Sequence, residues 1–109
     1  MYAILITTKR LAQIDKRIGK IKVELAAIGQ MRPGSLTCQY KDPDRGSGAY
    51  YQLSYTLDMK SRTDYIPRNW VRDVRAQVAN YKRFKSLSAE WVALSIERCR
   101  LTMKLPRRP

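Results

Sequence analysis

Residues 9–30 read KRLAQIDKRIGKIKVELAAIGQ, and their apolar side chains recur at alternating steps of three and four residues. Residues spaced in this way lie on one side of an α-helix and form an apolar stripe. The stripe consists of Leu11, Ile14, Ile18, Ile21, Leu25 and Ile28. Lysines and arginines fill many of the other positions, so the pattern predicts an amphipathic helix over residues 8–30 with a basic outer surface.

The stretch from residue 35 to residue 66 alternates polar and apolar side chains, as strands with one buried face do. Two runs of turn-forming residues interrupt it, DPDRGSG at 42–48 and DMK at 58–60. The alternation and the turns predict three short antiparallel strands. Such a small sheet is stable only when another element, here a helix, covers one of its faces.

A second helical pattern follows the sheet. Pro67 suits the first turn of a helix, and valine, aromatic and leucine side chains then recur at near-helical spacing as far as Leu101. We therefore expect a long helix over residues 67–101 and a loose basic tail over residues 102–109.

These elements predict an α+β fold contained in a single domain, residues 1–109. Because the apolar stripe of the first helix needs a partner, we expect the two long helices to form an antiparallel hairpin, with the small three-stranded antiparallel sheet inserted between them. The apolar run at residues 2–6 is too short to span a bilayer, and we interpret it as core or as the approach to the first helix. The expected location is the cytoplasm, and no membrane partner is expected.

The charge balance indicates the kind of partner. The 109 residues include 22 lysines and arginines against nine aspartates and glutamates, a formal net charge of +13. Such an imbalance costs self-repulsion in the folded state, and a polyanionic partner explains why it is tolerated. Nucleic acid, either DNA or RNA, is the first candidate, because each neutralised phosphate releases condensed counterions.

The start of the second helix is the strongest candidate site. Arg68, Arg72 and Arg75 are separated by four and three residues, which predicts a shared helix face. The hairpin between the second and third strands offers further cations, since a two-stranded ribbon fits the major groove. The candidate phosphate ligands are Lys41, Arg45, Lys60, Arg62, Arg68, Arg72, Arg75, Lys82, Arg83 and Lys85. The alternative interpretation is a solvated helix face, together with charged side chains that protect an edge strand.

Several tyrosines crowd the predicted sheet. Tyr51 and Tyr55 share a strand face with Leu53, which marks that face as core. Tyr50 lies on the opposite face and is the better candidate for stacking on an unpaired base.

Catalytic and metal-binding chemistry is not expected. The chain has no histidine, the usual general base near neutral pH and a common zinc ligand. Cys38 and Cys99 lie far apart in the sequence, and we interpret them as small buried side chains. Asp42 and Asp44 lie in a turn, and a nuclease site that combines them with Asp64 is the remaining alternative. We predict no cofactor, no metal and no enzymatic activity.

Four short segments resemble a small uncharacterised family of bacteria and archaea whose genes lie beside transposase genes. The segments are MRPGSL at 31–36, GAYY at 48–51, RT at 62–63 and YIPR at 65–68. Members of that family carry an R-x-G-S-L start, a cysteine-rich stretch, H-G-P-Y-Y and a V-P-R that opens a long basic helix. The resemblance covers residues 31–101. This chain has the loop 42–47 in place of the cysteine-rich stretch, so metal binding does not carry over.

The element order is also similar to the arm-site DNA-binding domain of tyrosine-recombinase integrases, in which a three-stranded sheet precedes a basic helix. Both resemblances imply the handling of nucleic acid in a mobile element.

We therefore expect a non-catalytic nucleic-acid-binding accessory protein of a mobile element or a ribonucleoprotein complex, associated with the nucleoid. Its basic helix and hairpin are expected to grip the phosphate backbone. The alternative is a protein-interaction subunit whose Ile/Leu stripe forms a coiled-coil dimer or docks on a larger mobile-element protein or nucleic-acid enzyme.

Overall fold

A computed structural model describes residues 1–107 of the chain. The elements are helix α1 (Tyr2–Ala26), strands β1 (Ser35–Asp42), β2 (Ser47–Leu57) and β3 (Lys60–Ile66), a short 3₁₀ turn (Arg68–Trp70) and helix α2 (Val71–Thr102). The predicted α+β class, with a helix, a three-stranded antiparallel sheet and a second long helix, is confirmed.

The chain divides into two compact units. The helical unit comprises residues 1–28 and the chain from Phe84 onward, and the sheet unit comprises Gly29–Arg83. The long helix α2 contributes to both units, because its first turns belong to the sheet unit and its remaining turns to the helical unit.

Helix α1 begins six residues before its predicted start and ends at Ala26 rather than at residue 30. Thr7 and Thr8 lie inside the helix and donate hydroxyl hydrogen bonds to carbonyls one turn back, at 2.8 and 2.7 Å. No glycine or proline interrupts residues 2–6, so the helix extends through them. Their larger apolar side chains are exposed, so the interpretation of this run as core is wrong.

The helical unit has the apolar stripe of α1 turned inward. Ile14 and Ile21 are completely buried, and the other four stripe residues are half-buried. Leu87 of α2 is buried in the same unit. Burying a side chain of this size contributes about 1.5–3 kcal/mol, which outweighs the cost of Gly19 inside the helix, about 1 kcal/mol.

Three arginine–carboxylate pairs join α1 to α2 within the helical unit. They are Arg10 with Glu97, Arg17 with Glu90, and Arg98 with Asp15, each with an Nε–O distance of 2.6 Å. In each pair the hydrogen bond from the guanidinium holds the pKa of the carboxylate below its ordinary value. The pKa of each arginine is raised by the same bond.

Acidification is therefore expected to destabilise the protein. A carboxylate whose pKa is lowered by folding stabilises the fold above its unfolded pKa, and this contribution is lost as the pH falls through the folded value. The free energy of unfolding should fall once the pH drops below the ordinary glutamate pKa of 4.5. Thermal unfolding followed by circular dichroism between about pH 7 and pH 2.5 measures this fall.

The double variant Glu90→Gln/Glu97→Gln should lose less stability over the same pH range, because it lacks two of the three lowered carboxylates. Asp44→Asn is the matched control, since Asp44 is exposed and forms no ion pair within residues 1–107. If the double variant and the control show equal pH dependence, the ion pairs are not the cause.

The sheet has the order β1–β2–β3, so β1 and β3 are its edges. Leu36 of β1 lies opposite Leu53 of β2, and Tyr51 of β2 lies opposite Ile66 of β3. Leu53 is completely buried, and it forms the core of the sheet unit with Ile66, Val71 and Val78. The first turns of α2 therefore cover one face of the sheet, as the sequence predicts.

The segment that enters β1 is held by close contacts. The Arg32 guanidinium donates to an Asp64 carboxylate oxygen at 2.9 Å and lies 4.9 Å from the centre of the Tyr55 ring. The Arg32 amide donates to the Gln77 carbonyl of α2 at 3.2 Å. Gly34 has φ +143°, and a Cβ at this position would lie 2.7 Å from Leu53 Cγ, so no larger residue fits.

Helix α2 begins at Val71, four residues after the predicted start. Pro67 has the extended ψ of 141° and precedes the 3₁₀ turn, in which the Trp70 amide donates to the Pro67 carbonyl at 2.9 Å. Arg68 therefore lies outside the α-helix, and the prediction that it shares an α-helical face with Arg72 and Arg75 is wrong. The helix ends at Thr102, one residue later than predicted.

The predicted loose tail is helical at Thr102 and continues with backbone hydrogen bonds of 3.1 Å as far as Leu105. Arg108 and Pro109 lie outside the described residues. No helix within residues 1–107 combines the length and the apolar character needed to cross a bilayer.

Cys38 and Cys99 are both exposed, so their interpretation as buried side chains is wrong. Cys38 lies on the edge strand, outside the group of side chains that packs against α2.

Candidate functional site

The two units differ in the share of acidic residues that form ion pairs within residues 1–107, four of four in the helical unit and two of five in the sheet unit. In the helical unit, all four acidic residues form ion pairs, the fourth being Glu24 with Arg17 at 4.0 Å. The sheet unit contains ten lysines and arginines and five aspartates, a formal charge of +5. Only Arg32 and Arg45 of these ten cations form ion pairs within residues 1–107, with Asp64 and Asp42 respectively.

Eight cations of the sheet unit thus have no carboxylate partner in the part of the chain that the structure describes, and all eight are exposed. We call them the unpaired cations. They are Lys41, Lys60, Arg62, Arg68, Arg72, Arg75, Lys82 and Arg83. All eight belong to the ten cations predicted from the sequence. Arg45 is paired with Asp42 at 3.6 Å, and Lys85 belongs to the helical unit.

A basic groove lies between α2 and the start of β1. Arg75, Ala79 and Lys82 occupy one helix face at steps of four and three residues, and they line a cavity of about 280 Å³ with residues 34–36. Arg72 and Arg83 are exposed on neighbouring positions of the same helix. The groove therefore brings α2 cations next to the sheet edge, which the sequence pattern did not predict.

The hairpin between β2 and β3 turns at Asp58 and Met59, whose φ angles are +52° and +64°. Positive φ at both central residues is typical of the tight two-residue turn that suits twisted strands. Lys60 lies opposite Leu57, and Arg62 lies opposite Tyr55. Both cations are exposed, but they lie on the α2 side of the sheet.

Tyr50 lies on the face of the sheet that α2 leaves uncovered, as predicted from the strand alternation. It lines a cavity of about 450 Å³ together with Lys41, Gly48, Ala49 and Tyr65. Tyr65 was not among the predicted site residues. Strand alternation could have identified Tyr65, because Ile66 belongs to the core face and successive strand residues point to opposite faces.

The Ile/Leu stripe, predicted as an interaction surface, faces the interior of the helical unit, as its burial shows. Within residues 1–107, no group of three or more His, Cys, Asp or Glu side chains is placed to hold a metal ion. Asp42 and Asp64 bind different arginines, and the Tyr55 hydroxyl lies 3.4 Å from an Asp64 oxygen.

Residues 11–76 match a protein family described as Domain of unknown function (DUF6788). Because the match covers more than half of the chain, the protein belongs to this family. The matched range includes most of α1, the whole sheet and the first turn and a half of α2. No curated protein matches the chain. No solved structure matches it either.

Proposed function

We propose that the protein is a non-catalytic nucleic-acid-binding accessory protein that holds phosphates with the unpaired cations of its sheet unit. The observation that carries the proposal is the row of exposed cations on the part of α2 that borders the groove beside β1. Eight exposed cations of the sheet unit have no carboxylate partner within residues 1–107, and four of them, Arg72, Arg75, Lys82 and Arg83, lie on α2. Binding to a polyanion would relieve the repulsion among these cations and release condensed counterions.

The cations are concentrated along one segment. Between Arg68 and Arg83 the chain has five cations and a single acidic residue, Asp73. Arg75 and Lys82 share a helix face and border the groove beside β1. A row of cations on a helix is suited to successive phosphates of a backbone, since phosphate contacts set position and affinity rather than sequence preference.

Within the helical unit, we propose that α1 and the later turns of α2 form the antiparallel hairpin expected from the sequence. The order of the contacts supports this arrangement. Residues 10 and 15 of α1 contact residues 97 and 98, whereas residues 17 and 22 contact residues 90 and 91. In the proposed function, the hairpin is a scaffold and the sheet unit binds the nucleic acid.

The proposal is tested by fluorescence anisotropy with duplex DNA, single-stranded DNA and single-stranded RNA over a range of salt concentrations. If five to eight cations contact phosphates, the logarithm of the association constant should fall linearly with the logarithm of salt concentration, with a slope between about −4 and −7. Polyglutamate of similar length serves as a non-phosphate polyanion control. Absence of binding at low salt, or binding insensitive to salt, would overturn the proposal.

A further inference from the structure

Within the sheet unit, α2 packs on one face of the sheet, and we call the other face the open face. Alternation along the three paired strands assigns to this open face Ser35, Thr37, Gln39 and Lys41 from β1, Tyr50, Gln52, Ser54 and Thr56 from β2, and Ser61, Thr63 and Tyr65 from β3. Its side chains are exposed or half-buried. Hydroxyl and amide groups therefore dominate the open face, with two tyrosines among them.

The two tyrosines are neighbours on this face. Tyr65 lies opposite Gln52, and Tyr50 is two residues from Gln52 on the same strand. Diagonal neighbours of this kind are within reach of each other when the side chains are aromatic. Tyr65 is 64% exposed, and both rings line the same cavity of about 450 Å³. This volume falls within the range of small-ligand pockets, about 300–1,000 Å³.

Lys41 supplies the positive charge of the open face. It lies between the register pairs Tyr40–Ala49 and Asp42–Ser47 and beside Gly48, which has φ +72°. A Cβ on Gly48 would lie 2.9 Å from Lys41 Cβ and 3.3 Å from its Cγ, so the aliphatic stem of Lys41 packs closely on the glycine backbone. Lys41 lines the same cavity as the two tyrosines.

The open face carries no carboxylate from the three strands. Aspartates within the strands lie elsewhere, since Asp64 is on the α2 side and Asp42 is paired with Arg45. Lys41 is therefore the one charged side chain that the three strands place on this face. Aromatic rings, a cation and neutral hydrogen-bonding groups are the combination that binds unpaired bases and their phosphates.

We propose that the open face binds single-stranded nucleic acid, with an unpaired base stacked on Tyr50 and Tyr65 and its phosphate at Lys41. This inference rests on the proposed function and names the class of nucleic acid that the sheet unit prefers. A base inside a duplex is stacked on both sides and has no free face for a tyrosine ring. Preference for single strands follows, whereas the α2 cations contact phosphates of either form.

The experiment compares Tyr50→Leu and Tyr65→Leu with the wild type, by anisotropy with single-stranded DNA and with duplex DNA. Each substitution should weaken single-strand binding by roughly 5- to 100-fold, the range of one lost base–aromatic stack, and leave duplex binding and the salt slope unchanged. Tyr50→Phe keeps the ring and should bind as the wild type does. Lys41→Gln should instead make the single-strand salt slope shallower by about 0.7.

Tyr40→Leu is the matched control, because Tyr40 is 43% exposed and lies on the opposite face of the same sheet. It should leave single-strand binding unchanged. A wild-type measurement that needs no variant uses a single strand containing 2-aminopurine, whose fluorescence should change when its base stacks on the protein.

The outcomes separate this inference from the proposed function. If the wild-type protein binds no nucleic acid, both the proposed function and this inference are overturned. Wild-type binding with no 2-aminopurine response, or equal losses of duplex and single-strand binding in the tyrosine variants, overturns the inference and leaves phosphate binding intact. A free mononucleotide that competes as well as an oligonucleotide would also overturn it, because the site would then recognise a small molecule rather than a strand.

Discussion

Replacing Arg72, Arg75 and Lys82 together with glutamine is expected to weaken nucleic-acid binding by about 100- to 500-fold near 0.1 M salt. The three cations are exposed, lie on adjoining positions of α2 and form no ion pair within residues 1–107. Each lost phosphate contact removes about 0.7–0.9 from the slope of affinity against salt, so the slope should become shallower by about 2 to 3. Anisotropy titrations at several salt concentrations measure both quantities.

The matched control removes the same number of charges from the helical unit. Lys9, Lys16 and Lys20 are exposed on α1 and form no ion pair within residues 1–107. Replacing them with glutamine lowers the net charge equally but leaves the unpaired cations in place. The α1 triple variant should lower the affinity much less than the α2 triple variant does. Equal losses in the two triple variants would mean that net charge alone drives binding.

Gly34→Ala is expected to lower the free energy of unfolding by about 2–5 kcal/mol, because strained backbone and overpacking each cost about 1–3 kcal/mol. Gly34 has φ +143°, a conformation that residues with a side chain rarely adopt. The added methyl group would lie 2.7 Å from Leu53 Cγ, and Leu53 is completely buried in the core of the sheet unit. Urea denaturation followed by circular dichroism measures the loss.

Gly46→Ala provides the comparison that separates backbone strain from the clash. Gly46 also has positive φ, +61°, but a Cβ there would meet no atom within 4 Å. Its substitution should cost only about 1–2 kcal/mol, the penalty of the left-handed conformation. If Gly34→Ala proves no more costly than Gly46→Ala, then contact with Leu53 is not what requires glycine at residue 34.

The sequence predicted the elements well because their signals are periodic. The stripe from Leu11 to Ile28 predicted α1, and alternation between turns predicted three strands in the observed order. The ends of the elements were predicted less well, since they depend on local geometry. Pro67 can begin a helix, but here its extended backbone leads into a 3₁₀ turn, and α2 starts only at Val71.

The candidate site shows the same limit. Charge and residue spacing identified the unpaired cations, but the groove beside β1 depends on how α2 packs on the sheet. Strand register places Lys60 and Arg62 on the face opposite Tyr50, and it brings Tyr65 to the side of Tyr50. Burial of Cys38 was predicted from its residue type, whereas its exposure follows from its position on an edge strand.

The exposure of the two cysteines has a practical consequence. Cys38 lies in the sheet unit and Cys99 in the helical unit, and both are free thiols. The unaltered chain thus provides one attachment point for a fluorophore or a spin label in each unit. In a doubly labelled protein, energy transfer or electron spin resonance measures the distance between the labels on the two units. Adding an oligonucleotide shows whether this distance changes when nucleic acid binds.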